Sequence, residues 1–166
     1  MATVTLGGNP VHTLGELPTI GSELPNFELT ATDLSVKTNA DFKGQRLILS
    51  IFPSIDTPTC ATSVRAFNAK AAQLPNTKVL CISKDLPFAQ KRFCGAEGLD
   101  NVICLADFKN ADFGTQFGLT FTDGPLTGLL SRAVIVADEN GRICYEEQVA
   151  EIAHEPNYEA ALASLA

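Results

Sequence analysis

The spacing of apolar positions along this chain changes several times, and each change marks an element. Residues 47–52 (LILSIF) and 78–83 (KVLCIS) are short, apolar runs of the kind found on central strands buried on both faces. Between them, within residues 60–74, Ala61, Val64, Phe67, Ala71 and Leu74 recur at helical spacing, with Arg65 and Lys70 on other faces. Strand, helix, strand is a βαβ unit, and its crossover is expected to be right-handed. A second helix is predicted over 87–97, with Pro87 suiting its first turn and Gly98 its stop. Residues 102–105 predict a further strand and 107–117 another short helix. Residues 132–137 and 142–149 alternate as strands around Asp138-Glu139-Asn140-Gly141, a good hairpin turn, and 156–165 close the chain as a helix. Upstream, residues 4–6 and 11–13 flank Gly7-Gly8-Asn9-Pro10 as a small hairpin, and 27–30 can pair with 35–38 around Asp33.

Two parallel strands and then an antiparallel hairpin, with helices on both faces, describe a thioredoxin-like α/β fold. The expectation is a mixed central sheet flanked by helices, with an N-terminal β-hairpin extension and residues 1–50 as additions around the core. No repeat, linker or composition shift divides the chain, so residues 1–166 are expected to form one domain. A hydrophobic content of 45% argues against disorder. The apolar runs are too short to span a bilayer, so no membrane role is expected. The first ten residues carry no basic side chain and no apolar core of a secretory signal, which makes the cytoplasm the expected compartment. A formal charge of −7 speaks against phosphate binding, hence against nucleic acid as a partner.

Cysteine usage changes the picture more. The five cysteines, at 60, 81, 94, 104 and 144, are odd in number and make no CxxC. With only His12 and His154 beside them there is no plausible zinc set. In a reducing compartment a disulfide is more often catalytic than structural, so the cysteines point either to redox chemistry or to plain packing.

Residues 52–65 (FPSIDTPTCATSVR) carry the chemistry, because they join the end of a buried strand to the start of a helix. With Thr57 as N-cap and Pro58 as first helical residue, Cys60 falls in the first turn; Thr59 is an alternative cap. Free N–H groups and the positive end of the helix dipole there favour thiolate over thiol. An ordinary cysteine is only a few per cent thiolate at neutral pH, and making it mostly thiolate takes about 3.4 kcal/mol. A helix terminus supplies up to about 2 kcal/mol, so a cation is needed as well. Arg65, about one turn along the same helix, and Arg132, at the start of a predicted strand, are the candidates.

The pattern Pro53-x-x-x-Thr57-x-x-Cys60 resembles the active-site signature of the peroxiredoxins. The wider strings 52–57 (FPSIDT), 88–90 (FAQ) and 92–98 (RFCGAEG) are similar to the bacterial thiol peroxidase subgroup of atypical two-cysteine enzymes, as are 123–126 (DGPL), 131–134 (SRAV) and 155–162 (EPNYEAAL). The resemblance implies that Cys60 attacks a hydroperoxide, that Thr57 positions the peroxide, and that Arg132 pairs with thiolate and substrate. It implies that Pro53 shields the sulfur and that Cys94 resolves the oxidised Cys60 as an intrachain disulfide. It also implies reduction by thioredoxin, a homodimer, hydrogen peroxide and organic hydroperoxides as substrates, and no metal or prosthetic group. Chemistry agrees: the first product is a sulfenic acid, which a second thiol captures before further oxidation. Because Cys60 and Cys94 lie on different predicted helices and a disulfide needs Cα atoms within about 7 Å, local unwinding is expected before they meet.

Cys81, Cys104 and Cys144 sit in strand patterns and are expected to be inert packing residues, with Cys144 able to face solvent. Arg65 is either the sulfur's cation or a surface charge. Asp56 reads as turn chemistry, and His12 and His154 as incidental surface residues. Phe88, Phe93, Phe113, Phe117 and Phe121 are core at such spacings, or line an apolar approach to Cys60. Two rival readings use the same residues: a redox sensor whose disulfide alters a partner, and a thioredoxin-fold interaction module with inert cysteines. A disulfide oxidoreductase is weaker still, for want of CxxC.

Overall fold

A computed structural model describes residues 1–110 and 112–165. Its centre is a seven-stranded mixed sheet, and the buried runs read from the sequence form its middle. β5 (Arg46–Ile51), β6 (Thr77–Ser83) and β7 (Val102–Ala106) are parallel, while β8 (Ala133–Ala137) runs antiparallel to β5 and β9 (Ile143–Gln148) antiparallel to β8. On the other edge, β3 (Glu28–Ala31) pairs antiparallel with β7, and β4 (Val36–Thr38) pairs with β3. The second N-terminal strand pair is therefore part of the main sheet rather than an addition around it. β1 (Thr3–Leu6) and β2 (Asn9–His12) form the separate hairpin. Its turn is tighter than expected, since Gly7 and Gly8 both take positive φ (58° and 84°) and close it in two residues. Pro10 is thereby drawn into β2, a two-stranded edge where its missing N–H costs no ladder bond.

α1 (Pro58–Ala71) joins β5 to β6, and α2 (Pro87–Glu97) joins β6 to β7, ending where Gly98 adopts a left-handed φ of 65°. α3 (Asp112–Gln116) is shorter than the helix predicted over 107–117, of which Ala111 lies outside the described residues. The Asp107 N–H instead donates to the Ser83 carbonyl, prolonging the β6–β7 ladder. The Asp107 side chain is buried, beside Lys84 (3.5 Å) and accepting from the Gly114 N–H. α4 (Tyr158–Ala163) is capped by the Asn157 side chain, which accepts from the Ala160 N–H.

Alternation along the strands sorts the core into two layers. Leu47, Leu49, Ile51, Leu80, Ile82 and Leu105 face one way, onto Phe113 and Phe117 of the α3 region. Ile48, Val79, Cys81, Cys104, Val134 and Val136 face the other, together with Cys60, Val64 and Phe67 of α1. Cys94 and Cys144 pack against this second layer, so all five cysteines share one side of the sheet. Phe67 meets Tyr158 edge to face at 5.1 Å, which docks α4 on α1.

Candidate active site

Cys60 is the third residue of α1, nine residues beyond the end of β5, and is wholly buried. Thr57 holds the N-cap position, but its hydroxyl donates to the Ser54 carbonyl (2.9 Å) instead of accepting a first-turn N–H. The Ala61 N–H donates to the Thr57 carbonyl (3.0 Å), but the first-turn N–H groups ahead of it find no acceptor in the cap side chain. Pro53 is buried in the β5–α1 loop. That loop is held from the side by Asp85, which accepts from Ser54 Oγ (2.8 Å), the Ile55 N–H (2.7 Å) and Ser83 Oγ (2.6 Å). Asp85 was missed in the sequence, where Ser83-Lys84-Asp85 reads as an ordinary strand end. A carboxylate just before Pro87 at the opening of α2 was the available signal.

The cation at the sulfur is Arg132. Its Nη2 donates to Cys60 Sγ at 3.2 Å, and its Nε donates to the Ile152 carbonyl at 2.9 Å. Arg132 is 3% exposed, and its buried Nη1 has no hydrogen-bond partner among the described residues. A guanidinium fixed at one end, bonded to sulfur at the middle and carrying an unused donor is suited to a further oxygen acceptor. Arg65 takes the other alternative. It is exposed, forms two hydrogen bonds to Glu97 (2.7 and 3.2 Å), and lies over the Phe93 ring at 5.5 Å, where it clamps α1 to α2. This pairing holds the Glu97 carboxyl below the usual carboxylate range. Asp56 does more than turn, because it pairs with Arg92 of α2 at 2.8 Å.

Residues 151–153 brace the arrangement. The Ile152 carbonyl accepts from Arg132, the Ala153 carbonyl from Thr59 Oγ1 (2.9 Å), and Glu151 accepts from the Gly8 N–H, Thr5 Oγ1 and the Ala153 N–H. The N-terminal hairpin is thereby tied to the strap that carries the arginine. His12 also has a role, since its Nδ1 and backbone N–H both reach Asp123 (2.6 and 2.8 Å) and pin the hairpin to the following loop.

Cys94, near the end of α2, is half-buried in the same cluster as Cys60. Its sulfur meets Cys104 Sγ at 2.9 Å, while Cys60 is engaged by Arg132; all five cysteines are free thiols. Cys144 is half-buried, with Sγ 3.5 Å from the Val136 carbonyl oxygen. Of the phenylalanines singled out, Phe113 and Phe117 lie across the sheet from Cys60, Phe121 packs under the hairpin, and Phe88 is 65% exposed. Phe93 alone of the five packs in the layer of Cys60.

Residues 19–162 match the family model described as Redoxin. The thiol peroxidase of Mycobacterium tuberculosis (strain ATCC 25618 / H37Rv) is 56% identical over 165 residues, covering 99% of each chain. A crystal structure of a peroxiredoxin-like protein from Aquifex aeolicus superposes with a TM-score of 0.92 at 36% identity, over 99% of this chain and 96% of that one. A thiol peroxidase from Chromobacterium violaceum gives the same TM-score at 24% identity over the same shares, a likeness of fold. A buried cysteine at a helix start on a thioredoxin-like sheet defines a redox protein, and the chain belongs to the redoxin family. Among redoxins its relatives are thiol peroxidases and peroxiredoxins, and a thiol peroxidase role follows. No described helix is long and apolar enough to cross a membrane.

Proposed function

We propose that the chain reduces hydrogen peroxide and organic hydroperoxides through Cys60, with Cys94 as resolving thiol and thioredoxin as reductant. The observation that carries this reading is the Arg132 guanidinium, bonded to the Cys60 sulfur at 3.2 Å while its Nη1 is buried without a partner among the described residues. The Cys60 thiolate attacks one peroxide oxygen; the O–O bond breaks, and the departing oxygen leaves as an alcohol or water after taking a proton. Donors must meet that oxygen as its charge develops. Arg132 Nη1 and the first-turn N–H groups supply them, the Thr57 hydroxyl, whose proton goes to the Ser54 carbonyl, positions the peroxide as an acceptor, and Pro53 covers the sulfur. The Cys60 sulfenic acid condenses with the Cys94 thiol, releasing water and forming an intrachain disulfide. Thioredoxin, a dithiol, returns both sulfurs to thiols and is itself oxidised. No step draws on a metal or prosthetic group.

Since Arg132 holds one sulfur and Cys104 meets the other, α2 must loosen before Cys60 and Cys94 join. Five free thiols suit a reducing compartment, which supports the cytoplasm. Exposed Leu86, Phe88 and Phe108 supply apolar surface for a homodimer. The test is steady-state hydroperoxide consumption coupled to thioredoxin and its reductase. The wild type is expected to turn over many times per chain and Cys60→Ser not at all. Undiminished turnover by Cys60→Ser overturns the assignment, and a single turnover by the wild type makes the chain a sensor instead.

A further inference from the structure

Three sulfurs form a row on the cysteine-bearing side of the sheet. Cys81 on β6 and Cys104 on β7 are direct partners in the parallel register, so both side chains point to the same face. Cys94, on the helix that crosses this face, completes the row with its sulfur 2.9 Å from Cys104. Cys60 belongs to the same buried cluster. Sulfurs that only filled the core would not need to be adjacent in this way, nor would Cys104 need to touch a residue that must move during turnover.

We propose that Cys104 is a second resolving cysteine, which takes Cys94 over from Cys60 by thiol–disulfide exchange and leaves the chain with a Cys94–Cys104 disulfide. The inference rests on the reading of Cys60 and Cys94 given above. Cys104 sulfur attacks Cys94 sulfur in the Cys60–Cys94 disulfide; the Cys60–Cys94 bond breaks, the Cys94–Cys104 bond forms, and the proton of Cys104 replaces the lost bond at Cys60. No further oxidant is consumed, because the two oxidising equivalents move from one pair of sulfurs to another.

Geometry sets the direction of exchange. A Cys60–Cys94 bond parts each sulfur from its resting partner, whereas Cys94 and Cys104 already touch with α2 folded. Re-formation of the helix thus favours the second disulfide. Order is set by proton affinity: the Cys104 and Cys94 thiols are both pushed above the ordinary thiol range, Cys104 chiefly by its hydrogen bond with Cys81 and Cys94 by its hydrogen bond with Cys104, with burial adding to each. Neither competes with Cys60 for the first hydroperoxide, and the later exchange at Cys104 is driven instead by contact with Cys94 and by Cys60 as a leaving sulfur that Arg132 stabilises. The result is a free Cys60 beside a disulfide whose Cys94 end is half-exposed to a reductant.

Tryptic cleavage makes the two states separable, because Cys94 and Cys104 fall in one peptide, 93–109, and Cys60 in another, 47–65. Reduced protein is treated with one equivalent of hydrogen peroxide, alkylated in acid at successive times, and mapped without reduction. The expected course is an early 47–65/93–109 cross-link, replaced by a two-hydrogen-lighter, unalkylated 93–109 and an alkylated Cys60. A second equivalent is then consumed and traps as a Cys60 sulfenic acid. Cys104→Ala is expected to stop at the cross-link and take up one equivalent. The wild-type course needs no variant, so a poorly folding Cys104→Ala leaves the test intact. A wild-type cross-link that persists with Cys104 alkylated overturns the proposal while upholding Cys60 and Cys94. A Cys94–Cys104 bond that forms equally fast in Cys60→Ser also overturns it. If Cys60 stays unoxidised throughout, the reading beneath it fails as well.

Discussion

Arg132 does two tasks with one planar group: its Nε is anchored to the Ile152 carbonyl while Nη2 reaches the Cys60 sulfur. Lysine in its place keeps the charge but has no fork with which to serve both. Arg132→Lys is therefore expected to lower the second-order rate constant for hydroperoxide about 10–100-fold, the equivalent of one charged hydrogen bond of about 1.5–3 kcal/mol. Stopped-flow oxidation of the reduced protein measures this, and a rate within twofold of wild type would sink the role given to the guanidinium. At this scale the sequence was legible where a motif constrained the residue. Pro53, Thr57, Cys60 and Arg132 all gather at the β5–α1 junction. The direction of the Thr57 hydroxyl was not legible, since a threonine before Pro58 reads as a cap whether it accepts or donates. Nor was the Cys94–Cys104 contact, because nine residues of helix, turn and strand lie between them and only tertiary packing decides where a helical side chain lands.

Among the elements, α2 is the one whose sequence limits and observed limits coincide, because proline and glycine mark its ends by backbone chemistry alone. The strands buried on both faces were equally readable from apolar runs. The α3 region was not, since Asp107 follows the β6–β7 ladder into the core and only its burial beside Lys84 explains why the helix starts late. The placement of β3 against β7 was also hidden, because pairing between strands distant in sequence leaves no local periodicity. Buried Gln90 ties α2 to the sheet, its Nε2 donating to Ser83 Oγ and the Leu105 carbonyl, but what clamps α2 to α1 and its loop is modest: the Arg65–Glu97 pair, the Arg65 stack on Phe93 and the Arg92–Asp56 pair are surface contacts. Arg65→Ala is expected to leave the global unfolding transition near wild type yet raise amide exchange in α2 severalfold, with β5 and β8 unchanged. Hydrogen exchange resolved by peptide decides it; unchanged protection of α2 would remove Arg65 as a clamp.

For the molecule as a whole, acid resistance is expected to depend on Glu151, which joins the N-terminal hairpin to the strap beneath Arg132. Hydrogen bonds from the backbone of Ala153 and Gly8, and from Thr5, lower its carboxyl to about 2, against an ordinary value of 4.5. A depressed folded-state value contributes stability that is complete above about pH 4.5 and is lost as pH falls towards 2. Glu151→Gln is expected to flatten the stability–pH curve between those limits, as read by chemical denaturation at several pH values. A curve parallel to wild type there would mean that the carboxylate has no such linkage. The same scale gives the two-layered core its longer meaning. Every cysteine lies on one side of the sheet, and the other side is built of Leu, Ile, Phe and Ala. Repeated exposure to oxidant therefore ages only half of the molecule. A chain driven to sulfinic or sulfonic acid loses its reactive half first, while the inert half keeps the strands in register. Spent protein is expected to accumulate as folded, silent copies rather than as aggregate, so its abundance in a stressed cell overstates the peroxidase capacity that remains.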